Sequence, residues 1–140
     1  MQQRQEHAVA SVLVVARQPP TTRVLRLNLA LAGFDVVVVH AAALALDTAR
    51  QLVPSVVVVR LPLPGVEPLS FLGHLHGAVS DASFVVIGAP EALMNGSFDA
   101  VYLASPFDPT HLVAIVRDAI DARRARDKPR GPDDAPALSS

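Results

Sequence analysis

Val56-Val57-Val58-Val59-Arg60-Leu61-Pro62-Leu63-Pro64-Gly65 decides how the rest of the chain is read. Four consecutive valines, with no polar alternation, predict a strand covered on both faces. Strands of that kind belong to parallel sheets flanked by helices. Arg60, the first polar residue after the run, then falls at the strand's carboxyl edge, where open α/β sheets place their chemistry.

Working outward, similar apolar runs occur at 12–15, 36–39, 84–87 and 100–103, and none of them alternates. Helix-like segments lie between them. In 20–31 the spacing puts Val24, Leu27 and Leu31 on one face, with Arg23 and Arg26 elsewhere. In 44–52, Ala45, Ala49 and Leu52 form a stripe, and 67–77 carries Leu69, Leu72 and His76. The final helix has the plainest signals: Asp108 as N-cap, Pro109 at the first helical position, and an apolar stripe of Leu112, Ile115, Val116, Ala119 and Ile120. It is expected to fade after Arg124. Between Gly88 and Ala100 there is room for barely two helical turns before Asn95-Gly96, so the fourth helix is expected to be short or irregular. Repeated β-α units imply a doubly wound α/β sheet.

The chain has 140 residues, one domain's worth. Hydrophobic residues make up 51% and charged residues 18%, which suits a compact domain with a thin polar shell. A net charge of −1 gives no global field toward nucleic acid or an anionic membrane. The absence of cysteine excludes disulfides, thiolate metal sites and cysteine nucleophiles. No apolar run approaches the roughly 18 residues of a membrane span, and the polar start has no signal-peptide core. A cytoplasmic protein is expected, with a flexible segment 1–9, a folded domain 10–126 and a disordered tail 127–140 rich in proline, glycine and serine. A second, DNA-binding domain would need far more chain.

From Ser11 to about Arg124 the sequence resembles a response-regulator receiver domain. Val12-Leu13-Val14-Val15 is similar to that family's first strand. Leu31-Ala32-Gly33-Phe34-Asp35-Val36 resembles the entry to its second strand. Pro54-Ser55-Val56 through Gly65 resembles its third strand and following loop. Tyr102-Leu103-Ala104-Ser105-Pro106-Phe107 resembles its fifth strand and cis-proline loop. The resemblance implies a flavodoxin-like five-stranded parallel sheet in the order 2-1-3-4-5.

The family's chemistry is not implied with it. Receivers phosphorylate an aspartate at the end of strand three, and the matching residue is Arg60. Their Mg²⁺-holding acidic pair is matched by Ala16 and Arg17, their Ser or Thr after strand four by Gly88, and their lysine before the cis-proline by Ser105. Mg²⁺ takes hard oxygen ligands, which Arg17 and Arg60 do not offer. Phosphoryl transfer needs positioning and charge neutralisation around such a metal. The resemblance is therefore to a degenerate, non-phosphorylatable member, a pseudo-receiver.

Two readings of Arg17 and Arg60 stand side by side. One is an internal ion pair with Glu91 that closes the old pocket. The other is a small-anion or nucleotide site made by the two guanidinium groups. Tyr102 falls at the family's switch aromatic; it is either a half-buried strand residue or, with Pro106 and Phe107, a partner contact. His74 and His76 lie two apart and face different ways, and His40 and His111 have no metal-type companion, so no metal site is expected. Arg123, Arg124, Arg126, Lys128 and Arg130 form a basic cluster, read as a solvated helix end rather than a nucleic-acid contact.

The leading expectation is a phosphorylation-independent, receiver-like protein-interaction module in bacterial signalling or regulation. It is expected not to be an enzyme and to carry no cofactor. Its partner would be another signalling or regulatory protein, met through the first helix and the loop after strand five, with a homodimer left open. The alternative is a sensor binding a small anion or nucleotide at Arg17 and Arg60.

Overall fold

A computed structural model describes residues 10–17, 19–90, 93 and 98–127. The elements in chain order are β1 (Ser11–Val15), α1 (Pro19–Leu31), β2 (Asp35–Val39), α2 (Ala42–Leu52), β3 (Val56–Arg60), α3 (Pro68–Ala78), β4 (Ser83–Ile87), β5 (Val101–Leu103) and α4 (Pro109–Asp127). The strands form one parallel sheet in the order β2-β1-β3-β4-β5, the expected doubly wound arrangement. β3 sits at its centre, with Val12 to Val15 aligned on one side and Ser83 to Ile87 on the other.

The valines of β3 alternate between two cores because successive side chains point to opposite faces. Val57 and Val59 join Ala45 and Ala49 of α2 and Phe71, Leu72 and Leu75 of α3. Val56 and Val58 join Leu25 and Leu29 of α1 and Leu112, Val116 and Ile120 of α4. All four valines are fully buried. β2 differs from the other valine-rich strands. Val36, Val37 and Val38 are only half-buried, because β2 is the sheet's edge and no described strand lies on its outer side.

Local signals set the helix ends. Asp108 caps α4, its carboxylate accepting from the Thr110 N–H at 2.9 Å, and Pro109 is the first helical residue. Glu67 caps α3, accepting from the backbone of Ser70 (2.8 Å) and Leu69 (3.4 Å). α1 closes with Gly33 at φ +99: its N–H donates to the Ala30 carbonyl and that of Phe34 to the Leu29 carbonyl, satisfying the last turn. Arg117 of α4 then donates to the Ala32 carbonyl at 3.0 Å and covers the Phe34 ring at 5.2 Å, locking α4 to that turn.

Three sequence expectations are corrected. α1 turns Leu25 and Leu29 to the core, not the expected stripe; Val24, Leu27 and Leu31 are 42%, 57% and 77% exposed. In α3 the buried residues are Phe71, Leu72 and Leu75, while Leu69 and His76 lie outside. α4 continues past Arg124 to Asp127. In the described part of the β4–β5 connection there is one turn, closed by the Leu93 N–H on the Pro90 carbonyl at 2.9 Å. The remainder of the expected short fourth helix lies outside the described residues, as do the segments 1–9 and 128–140. No described helix is long and apolar enough to cross a membrane.

Candidate functional site at the carboxyl edge of the sheet

The parallel ladder carries its strands to a common edge and runs one step beyond them. The Ala16 N–H donates to Val39, Leu61 to Ile87 and Gly88 to Leu103, at 3.1, 2.8 and 2.9 Å. These bonds set Ala16, Arg60, Gly88 and Ser105 along one rim. Arg60, half-buried, reaches from β3 across β4 to the loop after β5, where its Nη2 donates to Ser105 Oγ at 3.1 Å. Its guanidinium carbon lies 5.9 Å from the centre of the Phe107 ring, within cation–π range. The Ser105-Pro106 peptide is cis, as the resemblance implied; Leu61-Pro62 is cis as well, which the sequence reading did not anticipate.

Gly88 has a conformation that side chains rarely adopt, with φ +75. A Cβ placed there would stand 2.8 Å from the Leu61 carbonyl oxygen and 3.8 Å from Ser105 Cβ. Glycine is therefore demanded by both backbone and space. Ala16 is fully buried in the α1 and α4 core and offers the rim no polar side-chain atom.

Arg17 takes a separate path. It is exposed, and it lines a groove with Arg23, Arg26, Val36, Val38 and His40 at the other end of the rim. A second groove places it with His40, Ala42, Leu63 and Val66. Arg60 lines neither and reaches Ser105 and Phe107 instead, so these two grooves do not bring the two arginines together. Glu91, the expected ion-pair partner, lies outside the described residues. Among the described residues the ion pair present is Asp47 with Arg50 on α2, at 3.4 Å and exposed.

Tyr102 is half-buried, and its hydroxyl donates to the Phe98 carbonyl at 2.6 Å. Burial raises its pKa above the ordinary tyrosine value, and the nearby Asp99 charge raises it further. Phe98 packs edge-on against Phe84 at 5.3 Å, and His76 stands 6.0 and 6.1 Å from Phe84 and Phe98. His76 is thus part of an aromatic cluster beside β4. His40 places Nδ1 3.2 Å from the Ala16 carbonyl; because a carbonyl only accepts, that nitrogen carries the proton. No group of three potential metal ligands occurs among the described residues. Arg123, from the basic cluster, donates to the Asp81 carbonyl at 2.9 Å and so serves to tie α4 to the opposite, amino end of the sheet.

Chemically, this rim is cationic and neutral in makeup. Ala16, Arg17, Arg60, Gly88 and Ser105 supply one hydroxyl oxygen already engaged by Arg60, and no carboxylate. A divalent magnesium ion, which takes several oxygen ligands, does not fit this donor set.

Comparison with known proteins places this geometry. No family model matches the chain. It is 33% identical over 116 residues to the transcriptional regulatory protein KdpE of Mycobacterium tuberculosis, covering 78% of this chain and 50% of that protein. It is 33% identical over 128 residues to the DNA-binding response regulator MtrA of Mycolicibacterium smegmatis, covering 84% and 53%. The chain thus spans about half the length of these relatives. Among solved structures, a CheY-like response regulator receiver domain protein from Methanospirillum hungatei matches with a TM-score of 0.78 at 14% identity, over 85% of this chain and 99% of that one. The receiver domain of the sensor histidine kinase PA1611 from Pseudomonas aeruginosa matches with a TM-score of 0.70 at 20% identity, over 81% and 99%; that structure holds a magnesium ion in its active-site cleft. Sheet order, cis-proline loop and sequence likeness agree: this chain carries a response-regulator receiver (CheY-like) domain.

Proposed function

We propose that the domain acts as a protein-interaction module whose output does not depend on phosphorylation. The observation that carries this reading is Arg60 at the end of β3, held by Ser105 Oγ and the Phe107 ring. A receiver switch needs a carboxylate acceptor there and a metal beside it; a guanidinium is neither, and its charge opposes metal entry. With no nucleophile, acid–base pair or metal set among the described residues of this rim, the domain is read as a non-enzyme that needs no cofactor.

The surface that supports an interaction role is α1. Leu27 and Leu31, with Val24, leave an apolar stripe in solvent on a helix that already buries a different face. Charged partners or nucleic acid would not select such a stripe; a helix or loop of another signalling protein would. Tyr102 is a weaker candidate for contact than the sequence suggested, since its hydroxyl is spent on Phe98.

Two measurements test this. Intact-mass analysis after incubation with acetyl phosphate and Mg²⁺ is expected to show an unmodified chain; a phosphoryl group added to any aspartate of the chain overturns the reading. Affinity capture is then compared for wild type and Leu27→Ala/Leu31→Ala. Exposed truncations of this kind change stability by about 0.5 kcal/mol or less, whereas Leu25→Ala or Leu29→Ala in the core costs about 2–5 kcal/mol. A partner retained by wild type and lost by the folded double variant is the expected result. Equal retention removes α1 as the contact face.

A further inference from the structure

β2 is the edge of the sheet, and its outer side carries backbone groups with no partner among the described residues. In a parallel strand, alternate residues direct both their N–H and C=O to the same side. The Asp35 N–H donates to Ala10 and the Val39 carbonyl accepts from Ala16, so Asp35, Val37 and Val39 face β1. Val36 and Val38 therefore present their N–H and C=O outward, and no backbone partner meets them among the described residues. A straight valine edge of this kind invites another strand unless it is blocked by proline, a bulge or inward charge. β2 has none of these between Val36 and Val39.

The groove beside this edge is strongly cationic. Arg23 and Arg26 of α1 line one wall, Val36 and Val38 the other, and Arg17 with His40 closes the carboxyl end. The three arginines have no carboxylate partner among the described residues. The polarity along the strand is uneven, because the only acidic residue on it, the exposed Asp35, stands at the opposite end.

We propose that the β2 edge binds an extended acidic segment of a partner protein as an added strand. Main-chain hydrogen bonds to Val36 and Val38 would hold the segment, as in other cases of strand addition. Its carboxylates would meet Arg17, Arg23 and Arg26, where guanidinium forks suit carboxylates bidentately. Asp35 fixes the register: the acidic side chains belong at the His40 end, and a basic residue suits the Asp35 end. This site uses neither Arg60 nor the Leu27 and Leu31 side chains, although Arg23 and Arg26 lie beside them on α1, and Val38→Pro tests it apart from the function proposed above.

The test uses the whole chain and a fluorescein-labelled peptide of alternating valine and glutamate, about eight residues long, an ordinary strand. Its anisotropy is compared with that of a valine–lysine peptide and of a glutamate–proline peptide that cannot pair as a strand. Binding of the valine–glutamate peptide alone is expected. Arg23→Glu/Arg26→Glu should weaken it by roughly tenfold or more. Val38→Pro should abolish it, while melting of that variant checks the fold, since the lost N–H points outward and leaves the β1 ladder whole. Equal binding of either control peptide, or undiminished binding by Val38→Pro, overturns the proposal. So does tighter binding of a single-stranded oligonucleotide that survives Val38→Pro, which would make the groove a general polyanion patch. Sedimentation velocity showing a dimer that Val38→Pro dissociates, without peptide binding, would assign the edge to a second copy instead.

Discussion

Gly88 is the residue at which the proposed departure from a phosphorylatable receiver would lie in the backbone. Elsewhere on the rim the missing chemistry is a matter of side chains, but here φ is +75 and a Cβ would press on the Leu61 carbonyl at 2.8 Å. Gly88→Ser would restore the family's hydroxyl only by moving the chain. It is expected to cost roughly 1–3 kcal/mol in urea unfolding, the scale of a residue forced into a sparsely populated conformation. A neutral result would mean that the loop relaxes freely. Which residues line the rim was legible in the sequence, because strand ends can be counted from the valine runs. Their pairing was not. Arg17 and Arg60 stand at neighbouring strand ends and look like partners on paper. A long side chain chooses its direction by what lies nearby, and Arg60 found Ser105 and Phe107, forty-five residues away in the chain for the former.

At the scale of elements, helices were legible and their faces less so. α1 has apolar residues on two sides. A 3.6-residue period through Val24, Leu27 and Leu31 is as good as one through Leu25 and Leu29, and only the sheet decides which is buried. α4 has a single stripe and was read correctly. The caps carry two expectations of opposite sign. Val53 ends α2 with φ +48, a conformation that is unfavourable for a β-branched residue, and its side chain is exposed. Val53→Gly should stabilise the protein by about 1 kcal/mol, read as a higher urea midpoint, because the left-handed penalty is removed and little packing is lost. A loss of stability would show that Val53 packs more than its exposure indicates. Glu67 at the start of α3 has its carboxyl held below the usual carboxylate range, chiefly by the Ser70 N–H. A carboxylate whose folded pKa is depressed stabilises above its unfolded pKa, and that contribution fades as pH falls through the folded value. Wild type should therefore melt above Glu67→Gln at pH 7, and the two should converge in acid. A gap that persists below the carboxylate range would mean that the charge is not what the cap contributes.

For the whole molecule, the sheet couples the rim to both cores, so ligand binding at the rim should register as global stability. β3 supplies Val57 and Val59 to one core and Val56 and Val58 to the other, and Arg60 is the next residue along the same strand. A metal bound there would stabilise the native state by RT ln(1 + [L]/Kd), or about 2.7 kcal/mol at one hundred times the dissociation constant. That is large beside a total stability of about 5–15 kcal/mol and would be plain in a thermal melt. Receivers that hold magnesium in the cleft, as the PA1611 domain does, should show such a rise. The residues that the resemblance to receivers matches to that cleft are Ala16, Arg17 and Arg60, with no carboxylate among them. Its melting temperature is expected to be the same with EDTA and with Mg²⁺ at a concentration that saturates an ordinary receiver, and Arg60→Asp alone should not create a response, because Ala16 and Arg17 supply no second carboxylate. A magnesium-dependent rise in wild type would show oxygen ligands at the rim and overturn the phosphorylation-independent reading. A rise confined to Arg60→Asp would show that Arg60 alone holds the metal out. In that case the fold has kept a metal-receptive cleft, while Gly88 and Ser105 still lack the hydroxyl and the lysine that the resemblance to receivers implies.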